Sequence, residues 1–467
     1  MIGGGKAVGG MAAGLERVLG ERVTAGFVNI PDSLAPIPRC SRVTLHRATH
    51  PIPSSKGVEG VKTMLELIGK PMASDLVICL ISGGGSALLP MPAKGLKLSD
   101  VQKVTKLLLK SGAEIHEINI VRKHLSEIAG GRLAEKLYPA EVLSLIISDV
   151  VGDDLDSIAS GPTAPDSSTY LDARAVLAKY DLVDDVPADV RKALDDGIQG
   201  RIKETPKANS RVFDRVCNLI VGSNELACRA TADFLRRRGY VTRILGTRIQ
   251  GEASRVGELF SGLLVEMREK SSALSRPTCI IAGGETTVTV RGSGIGGRNQ
   301  ELALCVARGI GGLDGVYFAS MGTDGIDGGT NAAGAIVDGA VVERGLRKGI
   351  DANSYIQRND SHTFFKKVGG LIITGATGTN VNDIMIAVAR RVGHRRSSPG
   401  MSFSGQLRHW RTIPRNSSLA PRSGSQSGRL GASLSHSLQA PLRRLCCTFP
   451  EGPSESRERP RLSSRPR

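Results

Sequence analysis

Short apolar runs that break off in glycine, serine, threonine or aspartate recur along this chain, and that pattern leaves few folds open. Residues 76–81 are near-continuously apolar and stop at Ser82-Gly83-Gly84-Gly85-Ser86, before Ala87-Leu88-Leu89. A run of that length and purity suits a strand covered by helices on both faces. Residues 142–147 behave alike and end in Ser148, Asp149, Asp153, Asp154 and Asp156; residues 218–221 end in Gly222-Ser223-Asn224-Glu225. Residues 25–30, 42–46 and 240–245 read as further strands. In the last third, residues 279–282, 316–320 and 371–374 read as strands, with a turn at Gly283-Gly284, a polar strand at 286–291 and a helix over 331–348. Alternating strand, loop and helix predicts an α/β protein, here two α/β/α Rossmann-like domains facing a central cleft. The divisions expected are 1–270, with its first strand truncated to Met1 and Ile2, then 277–390, joined by a link at 271–277. A disordered tail rich in Arg, Ser and Pro is expected over 391–467.

Composition narrows the function classes. The chain has 467 residues, enough for two or three domains. Its net charge is +17, but from His394 onward there are 14 Arg, 3 Glu and no Lys, so 11 of those charges sit in the tail. The body has no basic patch and only 3% of the chain is aromatic, which argues against nucleic acid as a partner. No run of 18 apolar residues is present, which argues against a membrane span. Cys40, Cys79, Cys217, Cys228, Cys279 and Cys305 are scattered without a CxxC pair and read as small buried hydrophobes in a reducing compartment. The opening MIGGGKAVGG lacks the profile of a secretory signal. Cytoplasmic residence is expected, or mitochondrial if a leader has been lost; a homodimer is left open.

The loops carry the chemistry. Lys6 follows Gly3-Gly4-Gly5 at a helix entrance, where an ammonium is unfavourable unless an anion joins it. The 82–86 loop offers backbone N–H groups at the carboxyl end of a parallel strand, where open α/β sheets bind ligands. Four glycines within 292–297 precede Arg298 at another helix start and are expected to cradle a phosphate or carboxylate. Asp149 and Asp324, at strand ends, are the hard oxygen groups expected either to hold Mg²⁺ or to orient a substrate hydroxyl. Arg122 and Lys123 read as a solvated helical face, with a phosphate contact as the alternative; residues 169–200 read as a solvent-facing insertion, and His50 as a surface histidine, with a ligand contact as the alternative. Backbone cradles, cations and a metal site are what phosphoryl transfer needs. GxSxG is absent, so a serine hydrolase is disfavoured. Gly292, Gly294 and Gly297 formally fit GxGxxG, which keeps a nucleotide-dependent oxidoreductase as a weaker alternative.

Seven runs, in order, resemble the class II glycerate 2-kinases whose C-terminal half is the MOFRL domain. They are GGGKA at 3–7, ISGGGSALLP at 81–90, SDVVGDDLDSIASGPT at 148–163, AGGET at 282–286, GGRNQELAL at 296–304, GTDGIDGGTNAAGA at 322–335 and TGATGTNVND at 374–383. The resemblance implies ATP-dependent, Mg²⁺-dependent phosphorylation of D-glycerate at its 2-hydroxyl, giving 2-phosphoglycerate and ADP. It implies active-site roles for Lys6 and Arg298, which would take the glycerate carboxylate and the transferring phosphoryl group in an order left open. Substrate and nucleotide contacts are expected from the strand-end loops: Gly4, Gly5, Ser82, Gly83, Gly84, Gly85, Ser86, Asp149, Asn224, Glu285, Gly296, Gly297, Asn299, Thr379 and Asn380. The short first strand and the unrelated tail raise the alternative of a catalytically impaired truncated or splice product.

Overall fold

Six parallel strands build the first sheet of the computed structural model, which describes residues 1–270 and 276–391. They are β1 (Ile2–Gly4), β2 (Gly26–Pro31), β3 (Val43–Ala48), β4 (Leu76–Ser82), β5 (Glu141–Ile147) and β6 (Val216–Gly222), in the order β3-β2-β1-β4-β5-β6. The expected gap at the first strand is filled: three residues suffice for β1 to pair with β2 on one side and β4 on the other. Successive residues of β4 serve opposite faces, as a strand requires. Cys79 and Ile81 join Val61, Met64 and Leu137 in one core, while Leu80 joins Val8, Ala12 and Val28 in another. Both faces are therefore covered by helices, and the order reverses direction between β1 and β4. That reversal opens a crevice beyond the carboxyl ends of those two strands.

The second sheet is mixed. It comprises β7 (Val241–Glu252), β8 (Thr278–Thr287), β9 (Val316–Gly322), β10 (Gly334–Asp338), β11 (Leu371–Ile372) and β12 (Asp383–Ala389), in the order β11-β10-β9-β12-β8-β7. Only β7 and β8 are parallel neighbours; β12 runs antiparallel to both β8 and β9. Its core holds Phe260, Leu302, Phe318 and Met385 on one face and Cys228, Ile281 and Ile384 on the other. The helices Asn224–Arg236 and Ala253–Lys270 pack on this sheet, so the change of sheet falls after β6 and not at 271–277. A well-spaced Ser/Pro stretch between two helical and strand signals reads as a linker only when strand pairing is invisible.

Several local expectations are corrected here. Gly283-Gly284 is no turn: β8 runs straight through it to Thr287, because a β-carbon at Gly283 would lie 1.7 Å from Asn224 Oδ1. Glycine there serves close approach, not reversal. β10 lies inside the segment expected to be helical, and β12 follows the loop taken as the end of the domain. Residues 169–200 are not purely solvent-facing, since Tyr170, Leu177, Val190 and Leu194 form a third core with Val104, Leu108, Ile118 and Val121. Lys123 is buried at 1% exposure and pairs with Asp156 at 3.0 Å and Asp166 at 3.3 Å. Cys40, Cys79, Cys228, Cys279 and Cys305 are free thiols, whereas Cys217 is disulfide-bonded. No helix among the described residues is long and apolar enough to cross a membrane. The tail expected at 391–467 lies, beyond Arg391, outside the described residues.

Candidate active site

The crevice at the strand-order reversal gathers the first set of predicted residues. Gly5 leaves β1, and the Lys6 N–H donates to the Gly83 carbonyl at 2.9 Å, so the loops after β1 and β4 are stitched together. Ser82 completes that stitch: it is 1% exposed and its hydroxyl accepts from the Ala7 N–H at 3.0 Å. It is a structural contact and not the exposed ligand group expected. Gly84 adopts a left-handed conformation (φ 79°) ahead of the one-turn helix Gly85–Leu88. Ser86 Oγ lies 3.0 Å from Ser160 Oγ, drawing the loop after β5 over the same crevice. The Lys6 ammonium has no carboxylate within ion-pair distance among the described residues.

Asp149 follows β5 and leans over Gly83 so closely that a β-carbon there would lie 1.9 Å from its Oδ2. Burial pushes the Asp149 carboxyl above its ordinary range; the charge of Lys6 opposes this and that of Glu285 adds to it. Lys6, Asp149 and Glu285 are thus electrostatic neighbours although Glu285 sits on β8 of the second sheet. His50, half-buried beside Gly84, is held below its ordinary value first by burial and then by Lys6, with Asp32 opposing. It faces the crevice and is not the surface histidine expected.

The second sheet brings up its own edge, where β8 and β9 end and β12 begins. Arg298 opens the helix Arg298–Gly309 and reaches three carboxylate oxygens: Nε to Asp383 Oδ2 at 2.6 Å, Nη2 to Asp383 Oδ1 at 3.0 Å, and Nη1 to Glu285 Oε1 at 2.6 Å. Burial disfavours the guanidinium charge, but the hydrogen bonds and charges of Asp383 and Glu285 outweigh it and raise its pKa further. Asp383 is 0% exposed and starts β12, the strand that sequence patterning missed. The arginine is therefore a partner of two carboxylates and not a free anion receptor.

The glycine loop before Arg298 does not form the expected cradle. Asn359 Oδ1 accepts from the Arg291 and Gly292 N–H groups, Asp360 Oδ1 from Ile295, and the Arg358 carbonyl from Gly294. The helix start itself is capped by Asp327, which is 2% exposed and accepts from the Asn299 and Gln300 N–H groups at 3.1 and 2.9 Å. An internal carboxylate thus occupies the anion position that a helix N-terminus favours. Gly296 and Gly297 press against Ser361 and Asp327. Asn299 is 1% exposed, with its side chain bonded to Asp327 and Ser320. Asn224 is 6% exposed and donates to the Val381 and Asp383 carbonyls at 2.8 and 2.9 Å. Both asparagines are internal braces, contrary to expectation; Asn224 ties the end of the first sheet to the start of β12. Thr379 and Asn380 stay at the rim, where Asn380 Oδ1 accepts from the Asn382 N–H.

A divalent cation of the magnesium type takes one or two carboxylates and completes its shell with water and phosphate. Asp149 and Glu285 fit that need: they repel one another across the crevice, and a cation between them would relieve both. Asp324, the other expected ligand, bonds through Oδ1 to the Ile326 N–H at 3.0 Å and braces its own turn. Among the described residues no group of three or more His, Cys, Asp or Glu forms a ready-made metal cage. The residue whose role sequence reading did not single out is Asp383, at the start of a strand that patterning missed.

Residues 1–195 match the family model described as Domain of unknown function (DUF4147), and residues 278–383 match the MOFRL family. The MOFRL match begins on β8, inside the second sheet. A D-glycerate 2-kinase of Thermotoga maritima is 42% identical over 83% of this chain and 90% of its own length. A protein of Agrobacterium vitis, provisionally named hydroxypyruvate reductase, is 41% identical over 82% of this chain and 97% of its own. The crystal structure of a Thermotoga maritima glycerate kinase superposes with a TM-score of 0.77 at 41% identity, covering 83% of this chain and 90% of that one.

Proposed function

The chain belongs to the class II glycerate kinase family, and from that premise we propose that it transfers the γ-phosphoryl group of ATP to the 2-hydroxyl of D-glycerate. The observation that carries the reading is the run of charged groups Lys6, Asp149, Glu285 and Arg298, two carboxylates between two cations, which links the two sheets at one crevice. Phosphoryl transfer asks for positioning and charge neutralisation more than for covalent chemistry. Lys6, which has no carboxylate within 4 Å among the described residues, neutralises the oxygens of the transferring group. Asp149 and Glu285 would hold a Mg²⁺ ion, which would supply charge neutralisation for the phosphates. Arg298 fixes Glu285 from behind while its bidentate bond to Asp383 fixes Arg298. The glycerate oxygen takes the phosphoryl group, the bond to the bridging oxygen of ADP breaks, and the hydroxyl proton leaves to solvent.

The reductase alternative gains nothing from the GxGxxG stretch, whose N–H groups are largely engaged within the chain. The deciding measurement is ADP release from ATP and D-glycerate, coupled to detection of 2-phosphoglycerate. Lys6→Met should lower kcat about 10²–10³-fold, the usual cost of removing one donor to transition-state charge. Oxidation of NADH by hydroxypyruvate without any ATP-dependent product would overturn the proposal, and so would full activity in Lys6→Met.

A further inference from the structure

A cavity of about 310 Å³ opens beside the Lys6 crevice, sharing Gly84 and Ser86 with it. Its walls are mostly apolar, and the charged or titratable groups on them are His50 and Arg122; no aspartate or glutamate lines it. Arg122 is half-buried on the helix Ile115–His124, and burial lowers its pKa with no opposing carboxylate. Its one hydrogen bond among the described residues is a long one, from Nε to Thr105 Oγ1 at 3.4 Å. Neither Nη group has a partner among the described residues. Its neighbour Lys123, on the same helix, is met by two carboxylates. The fold thus pairs the cation it buries for structure and leaves the one facing the cavity unpaired. Desolvating a guanidinium without a counter-charge is unfavourable, so the arrangement is completed when an anion arrives.

Two other cations of this crevice already have a task. Arg298 is engaged through all three of its nitrogens by Asp383 and Glu285. Lys6 faces Asp149, where the phosphates come. We propose that Arg122 is the carboxylate-recognising residue for the three-carbon acid, holding it in this cavity so that its 2-hydroxyl points back past Gly84 and Ser86 toward Lys6. The inference rests on the kinase reading above and deepens it. The planar guanidinium fork matches a carboxylate in two parallel bonds, which a lysine cannot do. Ser86 and Ser160 at the cavity wall supply partners for the hydroxyls.

The test is made on the full chain with Arg122→Met and Arg122→Lys, by calorimetric titration with D-glycerate and by steady-state kinetics. Arg122→Met should weaken glycerate binding and raise its KM roughly 100-fold, the loss of two charge-assisted bonds, with the KM for ATP within two-fold. Arg122→Lys should recover part of the affinity. Because the unliganded guanidinium is unpaired, Arg122→Met should melt no lower than the parent, whereas a residue with only a structural role would lose stability. Unchanged glycerate affinity in Arg122→Met overturns the assignment. So does a rise confined to the KM for ATP, which would give the cavity to the nucleotide. A parent chain that binds glycerate, loses it with Arg122→Met, and makes no phosphorylated product would sink the kinase reading and keep the subsite. A parent that binds no glycerate sinks both.

Discussion

Replacing Arg298 by methionine separates its structural from its chemical part. Asp383 is 0% exposed, and among the described residues Arg298 is the one hydrogen-bond partner of its carboxylate, through bonds of 2.6 and 3.0 Å. Removing the guanidinium strands that carboxylate. Breaking a buried pair costs about 3–5 kcal/mol. Here the lower end applies, about 3 kcal/mol, because the Arg298 side chain keeps 32% exposure and water reaches the pair. For a unit the size of the second sheet and its helices that is a fall in Tm of about 6–12 °C. The double variant Arg298→Met/Asp383→Asn removes both charges and should recover most of the loss. Activity should not return with it, because Glu285 then has nothing behind it. The assay is thermal unfolding of the parent, the single and the double variant, each with its kcat for glycerate. A double variant as unstable as the single one would refute the stranded-charge reasoning, and a single variant with parental kcat would remove Arg298 from the site.

Three further outcomes follow from the same geometry. Gly83→Ala places a β-carbon 1.9 Å from Asp149 Oδ2, so the carboxylate must swing away; the expected cost is about 1–3 kcal/mol of stability and, for a misplacement near 1 Å, about 100-fold in kcat. A parental kcat would show that Asp149 need not stand where it does. Asp149 has a raised folded pKa, so it contributes stability while protonated and loses it as pH rises through that value. Asp149→Asn should therefore melt higher than the parent at neutral pH while losing activity, and its residual rate should lack the acid limb expected of the parent above the usual carboxylate range; an unchanged limb assigns it elsewhere. Glu204 is held down to about 2: burial would raise it, but hydrogen bonds from His124 and two backbone N–H groups prevail. Its contribution is present above its unfolded value of about 4.5 and is lost as pH falls toward about 2, so Glu204→Gln should flatten acid unfolding across that window, as circular dichroism against pH would show.

What could be read from the residues was mostly what depends on near neighbours in sequence. The apolar run of β4 and its glycine turn are local, and so is the sequel of β5 into Asp149. Those signals located the crevice without any knowledge of strand order. What escaped depends on partners far along the chain. Gly283-Gly284 looks like a turn until Asn224 is known to press against it. The 292–297 glycines look like an anion cradle until Asn359 and Asp360 are found taking their N–H groups and Asp327 capping the helix. Arg298 and Asp383 are 85 positions apart, and no periodicity links them. Arg122 and Lys123 are adjacent and chemically alike, yet one is paired twice and the other faces an acid-free cavity; only the positions of Asp156 and Asp166 distinguish them.

The two kinds of site residue also differ in what fixes them. Lys6, Gly83 and Asp149 stand where they do because β1, β4 and β5 are adjacent in a parallel sheet whose order reverses beside β1. Backbone pairing alone brings them together, and it would do so with other side chains. Arg298 and Glu285 reach the same crevice only because β12 inserts between β8 and β9 and presents Asp383 as an anchor. Their alignment therefore hangs on one buried charge. Changes on the first sheet should alter the rate while leaving the architecture in place, whereas changes at Asp383 should disturb both. An Asp383→Asn variant tests this directly: Arg298 keeps Glu285 but loses half its fork, so kcat and Tm should fall together. Loss of one without the other would show that the second sheet holds its arginine by some means other than Asp383.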